Sequence, residues 1–359
     1  MAVACLNCGR AYPDVGVPFR CPACGGLFDQ RSPLSWREPD PVAVGVWRYA
    51  KPLGGSGTAV TLGEGRTSLV RAEAAGRVVY FKCEQSNPTG SFKDRGSAVL
   101  TSFLLSRGVT EALEDSSGNA GASFAAYASR AGIRARIFAP EGASLMKRRQ
   151  IAAYGAQLVV VPGPRTAATQ AALKAAEAGA VYASHAHLPH NLEGYATCAY
   201  EIVDQLGSAP GSIIVPAGQG GFLLGLGRGF GALQAAGRVS DLPAMIGVQA
   251  AACAPLAALF EVGLAGLDLV TEGPTLAEGV RVRSPQRAQA VLQMVRATGG
   301  RILPVAEEGI LAGRDALAKL GFYVEPTSAL VWQALKENKP ELREPIVVIL
   351  TGSGYKSSV

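Results

Sequence analysis

The chain has 359 residues, 48% of them hydrophobic, and a formal net charge of +6. This length suffices for two sizeable α/β domains and a small additional segment. We find no apolar run of 18 residues and no signal-peptide pattern, so we expect a soluble cytoplasmic protein without a membrane partner. The 34 basic residues are dispersed, which argues against nucleic-acid binding.

The N-terminal segment carries four of the seven cysteines. Cys5 and Cys8 form one CxxC pair, and Cys21 and Cys24 form a second pair after twelve intervening residues. The segment has too little apolar content to fold on burial alone, whereas four thiolates can bind one Zn²⁺ tetrahedrally. We therefore predict a structural zinc ribbon; a ribbon without metal and a disulfide-linked segment are the alternatives.

The chain beyond a Pro/Gly-rich lead-in, which ends near residue 65, alternates short β-rich runs with Ala-rich helical runs. Strands are predicted at 78–84, 134–139, 157–162, 180–184, 212–216, 245–249 and 345–350. Helices are predicted at 120–131, 144–154 and 165–178, among others. This alternation predicts an α/β fold with a mostly parallel sheet covered by helices.

The segment Asn87-Pro-Thr-Gly-Ser91-Phe-Lys93-Asp94 follows the first of these strands. Ser91 and Asp94 have the spacing of a capping box, which predicts a helix that begins at Ser91. Lys93 then lies in the first turn, where the helix dipole disfavours an ammonium and lowers the pKa of the amine. A neutral amine is the form that Schiff-base chemistry requires. Taken alone, the motif also describes a lysine in a surface salt bridge.

Three further loops follow predicted strands. The loop 115–121 is rich in Ser and Gly, so its backbone N–H groups can bind a carboxylate, and Asn119 can hydrogen-bond a phenolic oxygen. The loop 216–222 lies between a strand and a helix, as in phosphate sites built from backbone N–H groups. Thr351 follows the last strand, where a hydroxyl can meet a ring nitrogen. Simple caps and turns are the alternatives for the first and last loops. A dinucleotide site is disfavoured at 216–222, because no acidic residue ends the next predicted strand.

Together and in this order, the motifs resemble those of the fold-type II pyridoxal-phosphate (PLP) enzymes. The resemblance runs from residue 63 to residue 356, and within this family the chain is most similar to threonine synthases. Their EG-x-T-x-L segment matches Glu64 to Leu69, and their closing TG-x-G matches Thr351 to Gly354. Some of them also carry N-terminal cysteines like the two pairs here. The resemblance implies a tryptophan-synthase-β-like architecture and a homodimer. It divides the chain into a ribbon-like segment (1–34), a large PLP-binding domain (35–85 and 194–359) and a small α/β domain (86–193).

The resemblance also implies roles for individual residues. Lys93 would be the catalytic residue and would hold PLP covalently, and Ser116 and Ser117 would bind the substrate carboxylate. The remaining cofactor contacts would come from Asn119, Gly218, Gln219, Gly220, Gly221 and Thr351, and the zinc ligands would be Cys5, Cys8, Cys21 and Cys24. The implied reaction eliminates phosphate from O-phosphohomoserine and adds water to give threonine.

Two positions depart from the usual threonine-synthase pattern. Ser68 replaces the proline of EG-x-T-P-L, and Ala196 replaces a lysine that many members carry before the threonine of EG-x-K-T. Ala196 lacks a cation that would attract a phosphorylated substrate. A serine or threonine ammonia-lyase therefore remains an alternative, as does a β-replacement enzyme that uses O-phosphoserine or a similar donor.

The three histidines all lie between residues 185 and 190. A metal site, a position at the mouth of the active site and an ordinary loop are the possible interpretations. Glu278-Gly279 resembles a family loop near the cofactor, or is a solvated turn.

Overall fold

The computed structural model describes residues 3–50, 59–116, 118–337 and 341–357. Its strands are β1 (Val3–Cys5), β2 (Phe28–Gln30), β3 (Leu69–Ala74), β4 (Arg77–Lys82), β5 (Glu111–Glu114), β6 (Arg134–Pro140), β7 (Gln157–Val161), β8 (Ser212–Pro216), β9 (Ala244–Ala250), β10 (Arg301–Val305) and β11 (Ile346–Ile349). Its α-helices are α1 (Lys93–Ser106), α2 (Asn119–Arg130), α3 (Leu145–Ala153), α4 (Arg165–Glu177), α5 (Asn191–Leu206), α6 (Gly221–Ala235), α7 (Pro255–Glu261), α8 (Ala288–Ala297), α9 (Glu307–Lys319) and α10 (Pro326–Glu337). None of the described helices is both long enough and apolar enough to cross a membrane.

The larger sheet has six strands in the order β10-β9-β8-β11-β4-β3. Its neighbouring strands are parallel except at the β3–β4 edge. Strands β8, β9 and β11 are buried along their whole length, as expected for parallel strands covered by helices on both faces. Ile213 and Ile214, adjacent on β8, accordingly belong to two different hydrophobic cores.

The smaller sheet is parallel and has the order β5-β6-β7. The strand predicted at 180–184 is wrong as a full strand, because only one parallel bridge joins Tyr182 to Leu113. The chain turns away at Ser184 to reach α5, which stops the pairing. Helix α5 spans the boundary expected between the small and large domains, so the division at residues 193 and 194 stays a prediction.

In the N-terminal segment, β1 and β2 pair in antiparallel orientation and enclose residues 6–27 between them. This segment, called the N-terminal hairpin below, packs against the rest of the chain. Asp29 forms ion pairs with Arg228 on α6 at 2.8 Å and with Arg287 at 3.7 Å. Arg287 also donates hydrogen bonds to the carbonyl of Phe28 at 2.9 Å and to that of His187 at 2.8 Å. The hairpin is thereby joined to the large sheet's helices and to the loop that carries the histidines.

A fully buried ionic network connects the large sheet to α1 and α5. Arg95 lies 2.7 Å from Glu84 and 2.7 Å from Glu201, and Lys82 lies 2.9 Å from Glu201. Thr67, from the segment that resembles the threonine synthases, donates to Glu84 at 2.6 Å. The cations hold the pKa of Glu84 and the pKa of Glu201 below the usual value, despite the opposing effect of burial. The network fixes α1 two residues beyond Lys93.

Replacing Arg95 by Met should destabilise the protein by about 3–5 kcal/mol, because Glu84 and Glu201 would keep their burial and lose their main partner. Urea unfolding measures this change. The matched control is Arg134→Met, which breaks an exposed pair with Glu111 and should cost about 0–1 kcal/mol. Equal losses in the two variants would contradict the assignment of the network as the anchor of α1.

Candidate active site

A cavity of about 340 Å³ lies between the two sheets, where residues that follow β5, β6, β7, β8 and β11 converge. The carboxyl ends of parallel strands are where α/β proteins bind ligands. The cavity brings together residues that the sequence analysis selected in separate loops: Lys93, Ser116, Asn119, Gly218, Gln219, Gly220, Gly221 and Thr351. Ser117 lies outside the described residues.

Helix α1 begins at Lys93, and the predicted capping box is wrong. The Asp94 carboxylate instead accepts hydrogen bonds from the Thr89 N–H at 2.7 Å and from the Thr89 hydroxyl at 2.5 Å. It also accepts one from Ser123 on α2 at 2.6 Å. Asp94 thus ties the turn before α1 to α2, and this places Lys93 at the start of the helix, facing the cavity.

The electrostatic environment of Lys93 favours a neutral amine. Burial lowers the pKa of Lys93 to about 8, Arg165 acts in the same direction, and Glu114 and Glu325 oppose it. Burial is the main cause of the shift and was not part of the prediction from the sequence. At mildly alkaline pH a large fraction of the amine is therefore unprotonated and available as a nucleophile or base.

The glycine-rich loop between β8 and α6 needs its glycines. A Cβ on Gly218 would lie 2.9 Å from the Gly279 carbonyl oxygen, and a Cβ on Gly220, whose φ is +75°, would lie 2.7 Å from Val291. Gln219 accepts a hydrogen bond from the backbone of Gln286 at 3.0 Å through its side chain. Because α6 begins at Gly221, the backbone of this loop lies at the positive end of the helix, where N–H groups bind anions.

Asn119, the first residue of α2, is part of a polar cluster that the sequence analysis missed. Its amide nitrogen donates to Glu325 at 2.7 Å, and its buried amide oxygen has no hydrogen-bond partner among the described residues. Lys147 on α3 lies 3.4 Å from the same Glu325 carboxylate. Gly352 leaves room for that carboxylate, since a Cβ there would lie 2.1 Å from it. Glu325 and Lys147 are far from the other motifs in sequence, and no local pattern distinguishes them.

Thr351 and Ser116, which line the cavity, are each held by a close contact behind its wall. The Thr351 hydroxyl is buried and hydrogen-bonds the hydroxyl of Ser328, a residue that the sequence analysis did not select, at 2.9 Å. The Ser116 carbonyl packs against α2 so closely that a Cβ on Gly121 would lie 1.7 Å from its oxygen. Glu278 and Gly279 also line the cavity.

Ala196 does not line this cavity. It is fully buried in α5, and its carbonyl oxygen would lie 2.6 Å from a Cβ on Gly229 of α6. The neighbouring Tyr195 lines the cavity instead. The missing lysine at this position therefore says little about charge in the cavity, where Lys147, Arg165 and Arg281 supply cationic side chains.

The three histidines have different surroundings. His185 lines the cavity, whereas His187 hydrogen-bonds Ser184 at 3.0 Å and His190 stacks on Phe103 with ring centroids 3.7 Å apart. Burial lowers the pKa of His187 to about 4 and that of His190 to about 3. The histidines therefore do not form a joint metal site in the described chain.

The four N-terminal cysteines converge in the hairpin. Their sulfur atoms all lie within 4.8 Å of one another, and the structure has them as free thiols rather than disulfides. Tetrahedral zinc with Zn–S bonds of about 2.3 Å holds its sulfur ligands about 3.8 Å apart. No other cluster of this kind occurs among the residues that the structure describes.

Comparison with known proteins extends these observations. The family described as "Pyridoxal-phosphate dependent enzyme" matches residues 60–352. The threonine synthase of Methanocaldococcus jannaschii is 33% identical over 377 residues, which cover 99% of this chain and 93% of that protein. The threonine synthase of Mycobacterium tuberculosis H37Rv is 33% identical, with 90% of this chain and 91% of that protein covered.

Solved structures show the same fold. A threonine deaminase from T.th. matches with a TM-score of 0.66 and 26% identity, covering 80% of this chain and 92% of that one. Maize serine racemase matches with a TM-score of 0.68 and 21% identity, covering 81% of this chain and 88% of that one. About four fifths of the chain therefore shares its overall fold with these proteins.

The contact between Gly121 and Ser116 can be tested by adding one methyl group. Gly121→Ala should destabilise the protein by about 1–3 kcal/mol or more, because the new Cβ meets a backbone carbonyl that cannot rotate away. Gly118→Ala is the matched control, since its Cβ would come no closer than 3.7 Å to its nearest neighbour, Ser116 Oγ. Thermal unfolding compares the two, and equal melting temperatures would contradict the close approach.

Proposed function

The chain belongs to the family of pyridoxal-phosphate-dependent enzymes as a lyase of the threonine-synthase type, and we propose that it converts O-phosphohomoserine and water into threonine and phosphate. The observation that carries this proposal is the convergence of Lys93 with three separate loops on one cavity. Similarity to threonine synthases over nearly the whole chain supports the same reaction.

The residues around the cavity fit PLP. Lys93 has the lowered pKa that imine formation requires, and Gly218 to Gly221 form a glycine cradle at a helix N-terminus that suits a phosphate dianion. Asn119 uses one amide hydrogen for Glu325 and has a second for a ligand oxygen. Thr351 would offer a hydroxyl rather than a carboxylate to the ring nitrogen, which would keep that nitrogen weakly basic.

Bound PLP supplies an electron sink for the bonds at the Cα of an attached amino acid. Lys93 would hold the cofactor in the resting enzyme, and its amine, when free, would remove the Cα proton of the substrate and later return it. The loop at Ser116 binds the substrate carboxylate through its N–H groups at the start of α2. Burial of these groups between two sheets excludes water from competing hydrogen bonds.

Arg165 can bind an anionic leaving group in the cavity, although Glu272, Glu278 and Glu325 also line it. Arg165 forms no ion pair with a carboxylate of the described chain, so its guanidinium is available to a phosphate. Lys147 and Arg281 add positive charge, although each is paired with a glutamate. An ammonia-lyase reaction is the second candidate, because a threonine deaminase has the same fold.

Replacing Lys93 by Ala should abolish the absorbance of the cofactor imine and lower phosphate release from O-phosphohomoserine by more than about 10³-fold. Lys174→Ala, an exposed lysine on α4, is the control and should retain both. An unchanged spectrum in the Lys93 variant would overturn its assignment. Release of ammonia and a keto acid from threonine or serine, without phosphate release from O-phosphohomoserine, would favour the ammonia-lyase.

We also propose that Cys5, Cys8, Cys21 and Cys24 hold one structural zinc ion per chain. Metal analysis should find about one zinc per wild-type chain and much less in Cys8→Ser, which removes one of the four ligands. Cys253→Ser changes a buried cysteine outside the cluster and should retain the metal. A wild-type protein that is purified without chelators and contains no zinc would refute this site.

The family resemblance further supports a homodimer that acts in the cytoplasm on a small amino-acid substrate, without nucleic-acid or membrane partners. Light scattering on the purified protein measures the subunit number directly.

A further inference from the structure

The cavity wall contains a buried acid–base pair to which the proposed function gives no role. His185 Nδ1 lies 2.8 Å from Glu114 Oε1, and the His185 backbone N–H donates to Glu114 Oε2 at 3.2 Å. The Glu114 side chain is only 1% exposed, whereas His185 is 14% exposed and lines the cavity. Two hydrogen bonds to one carboxylate fix both the position and the rotation of the imidazole.

The loop that carries His185 is held from outside as well. Asn191 donates to the His185 carbonyl at 2.8 Å, and Arg287 donates to the carbonyls of Ala186 and His187. Because Nδ1 is engaged by Glu114, Nε2 is the ring nitrogen that remains available to a molecule in the cavity. A histidine fixed in this way by a carboxylate has the geometry of a proton carrier.

The surrounding charges allow the pair to exchange protons. Burial raises the pKa of Glu114 and lowers the pKa of His185, since it disfavours both charged forms. Lys93 and Arg165 favour the Glu114 carboxylate and disfavour the His185 imidazolium, whereas Asp115 has the opposite effect on both groups. The ionisable groups that interact with the pair come from several elements and from the segment of His185 itself. They are Lys93 on α1, Asp115 after β5, Arg165 on α4, Tyr195 on α5, and Tyr182 and His187 in the same segment as His185. A proton accepted at Nε2 can be offset by transfer of the Nδ1 proton to Glu114, so the imidazole itself need not stay charged.

We propose that His185, positioned by Glu114, is a second proton-transfer residue of this active site and moves a proton from Cβ to Cγ of the substrate. The assignment rests on the proposed function, in which Cβ loses one hydrogen and Cγ becomes a methyl group. The Cγ–O bond breaks and its electron pair leaves with the phosphate. The Cβ–H bond breaks, its proton goes to Nε2, and its electron pair forms a Cβ–Cγ double bond. The same proton then returns to Cγ, where the π pair of the Cβ–Cγ double bond forms the new C–H bond, and the pair left at Cα by the first deprotonation closes a Cα–Cβ double bond. Water then adds through its oxygen at Cβ and gives its proton to the departed phosphate, while the Cα–Cβ π pair returns to Cα, which Lys93 reprotonates.

Lys93 alone does not account for this sequence of transfers. Its amine removes a proton from Cα and has to return one there at the end of the reaction, whereas the Cβ and Cγ steps fall between these two events. A second group on another wall of the cavity separates the two tasks. His185 is the only one of the chain's three histidines, all of which the structure describes, that lines the cavity, and Glu114 fixes it there.

The test uses the PLP-loaded enzyme in D₂O with the phosphonate isostere of the substrate, in which a CH₂ group replaces the ester oxygen so that phosphate cannot leave. NMR follows the exchange of the Cα and Cβ protons separately. The wild-type enzyme should exchange both. His185→Gln should keep Cα exchange within about threefold and lose Cβ exchange by about 10²-fold or more, the usual contribution of a positioned acid–base group. His187→Gln, on the same loop but outside the cavity, should behave like the wild type.

The outcomes separate the two proposals. Failure of the wild-type enzyme to release phosphate from O-phosphohomoserine rejects the proposed function. If phosphate is released but His185→Gln exchanges Cβ at the wild-type rate, or the wild type exchanges only Cα, the role of His185 is rejected while the function stands. Equal loss of Cα and Cβ exchange, with a lower melting temperature, would assign His185 a structural role and also reject the inference.

The pair itself can be examined without cofactor or turnover. In the cofactor-free protein labelled with ¹⁵N-histidine, Glu114→Gln should shift the titration of His185 to lower pH, because a neutral amide stabilises the imidazolium less than a group that can ionise beside it. An identical titration in the two proteins would show that Glu114 does not position or tune His185.

Discussion

The buried pairing of Arg95 with Glu84 and Glu201 is the constraint on which the site depends. These three charged side chains are almost wholly buried, so each must keep its ion pairs to offset the loss of contact with water. A shift of α1 or α5 would break those ion pairs, and both helices are therefore held in place. Lys93 lies two residues earlier, in the first turn of α1. The ion pairs of Arg95, which does not line the cavity, therefore help to fix the position of the reactive amine. Asp94, between them, extends the same fixation to α2 through Ser123.

The loops of the site could be predicted from the sequence because glycine and proline mark strand ends locally. Gly218 to Gly221 and the segment around Asn119 are recognisable from their residue types alone, and both lie where the pattern indicated. The capping box failed because Asp94 has stronger partners in Thr89 and Ser123, one of which comes from another helix. A local sequence pattern cannot predict a hydrogen-bond partner that the fold brings from a distant part of the chain.

The same reason explains which site residues the sequence did not reveal. Glu325 precedes α10 and Lys147 lies on α3, and they meet Asn119 only because both sheets place their carboxyl ends around one space. Glu114 is similar, since a glutamate at the end of a strand looks like a solvated residue until its burial is known. At Ala196 the family pattern drew attention to a missing cation. The structure places this residue inside α5, buried against α6 rather than in the cavity wall.

The contact of Asp29 with Arg228 and Arg287 has a consequence for how the N-terminal hairpin can be gained or lost. Burial lowers the pKa of Arg287 to about 10, and Asp29 is the carboxylate that compensates for its charge. A descendant gene that dropped the hairpin would leave two cations on the body of the enzyme without their counter-ion. Loss of the hairpin and substitution of these two arginines should therefore evolve together, and a shortened engineered variant would need both changes at once.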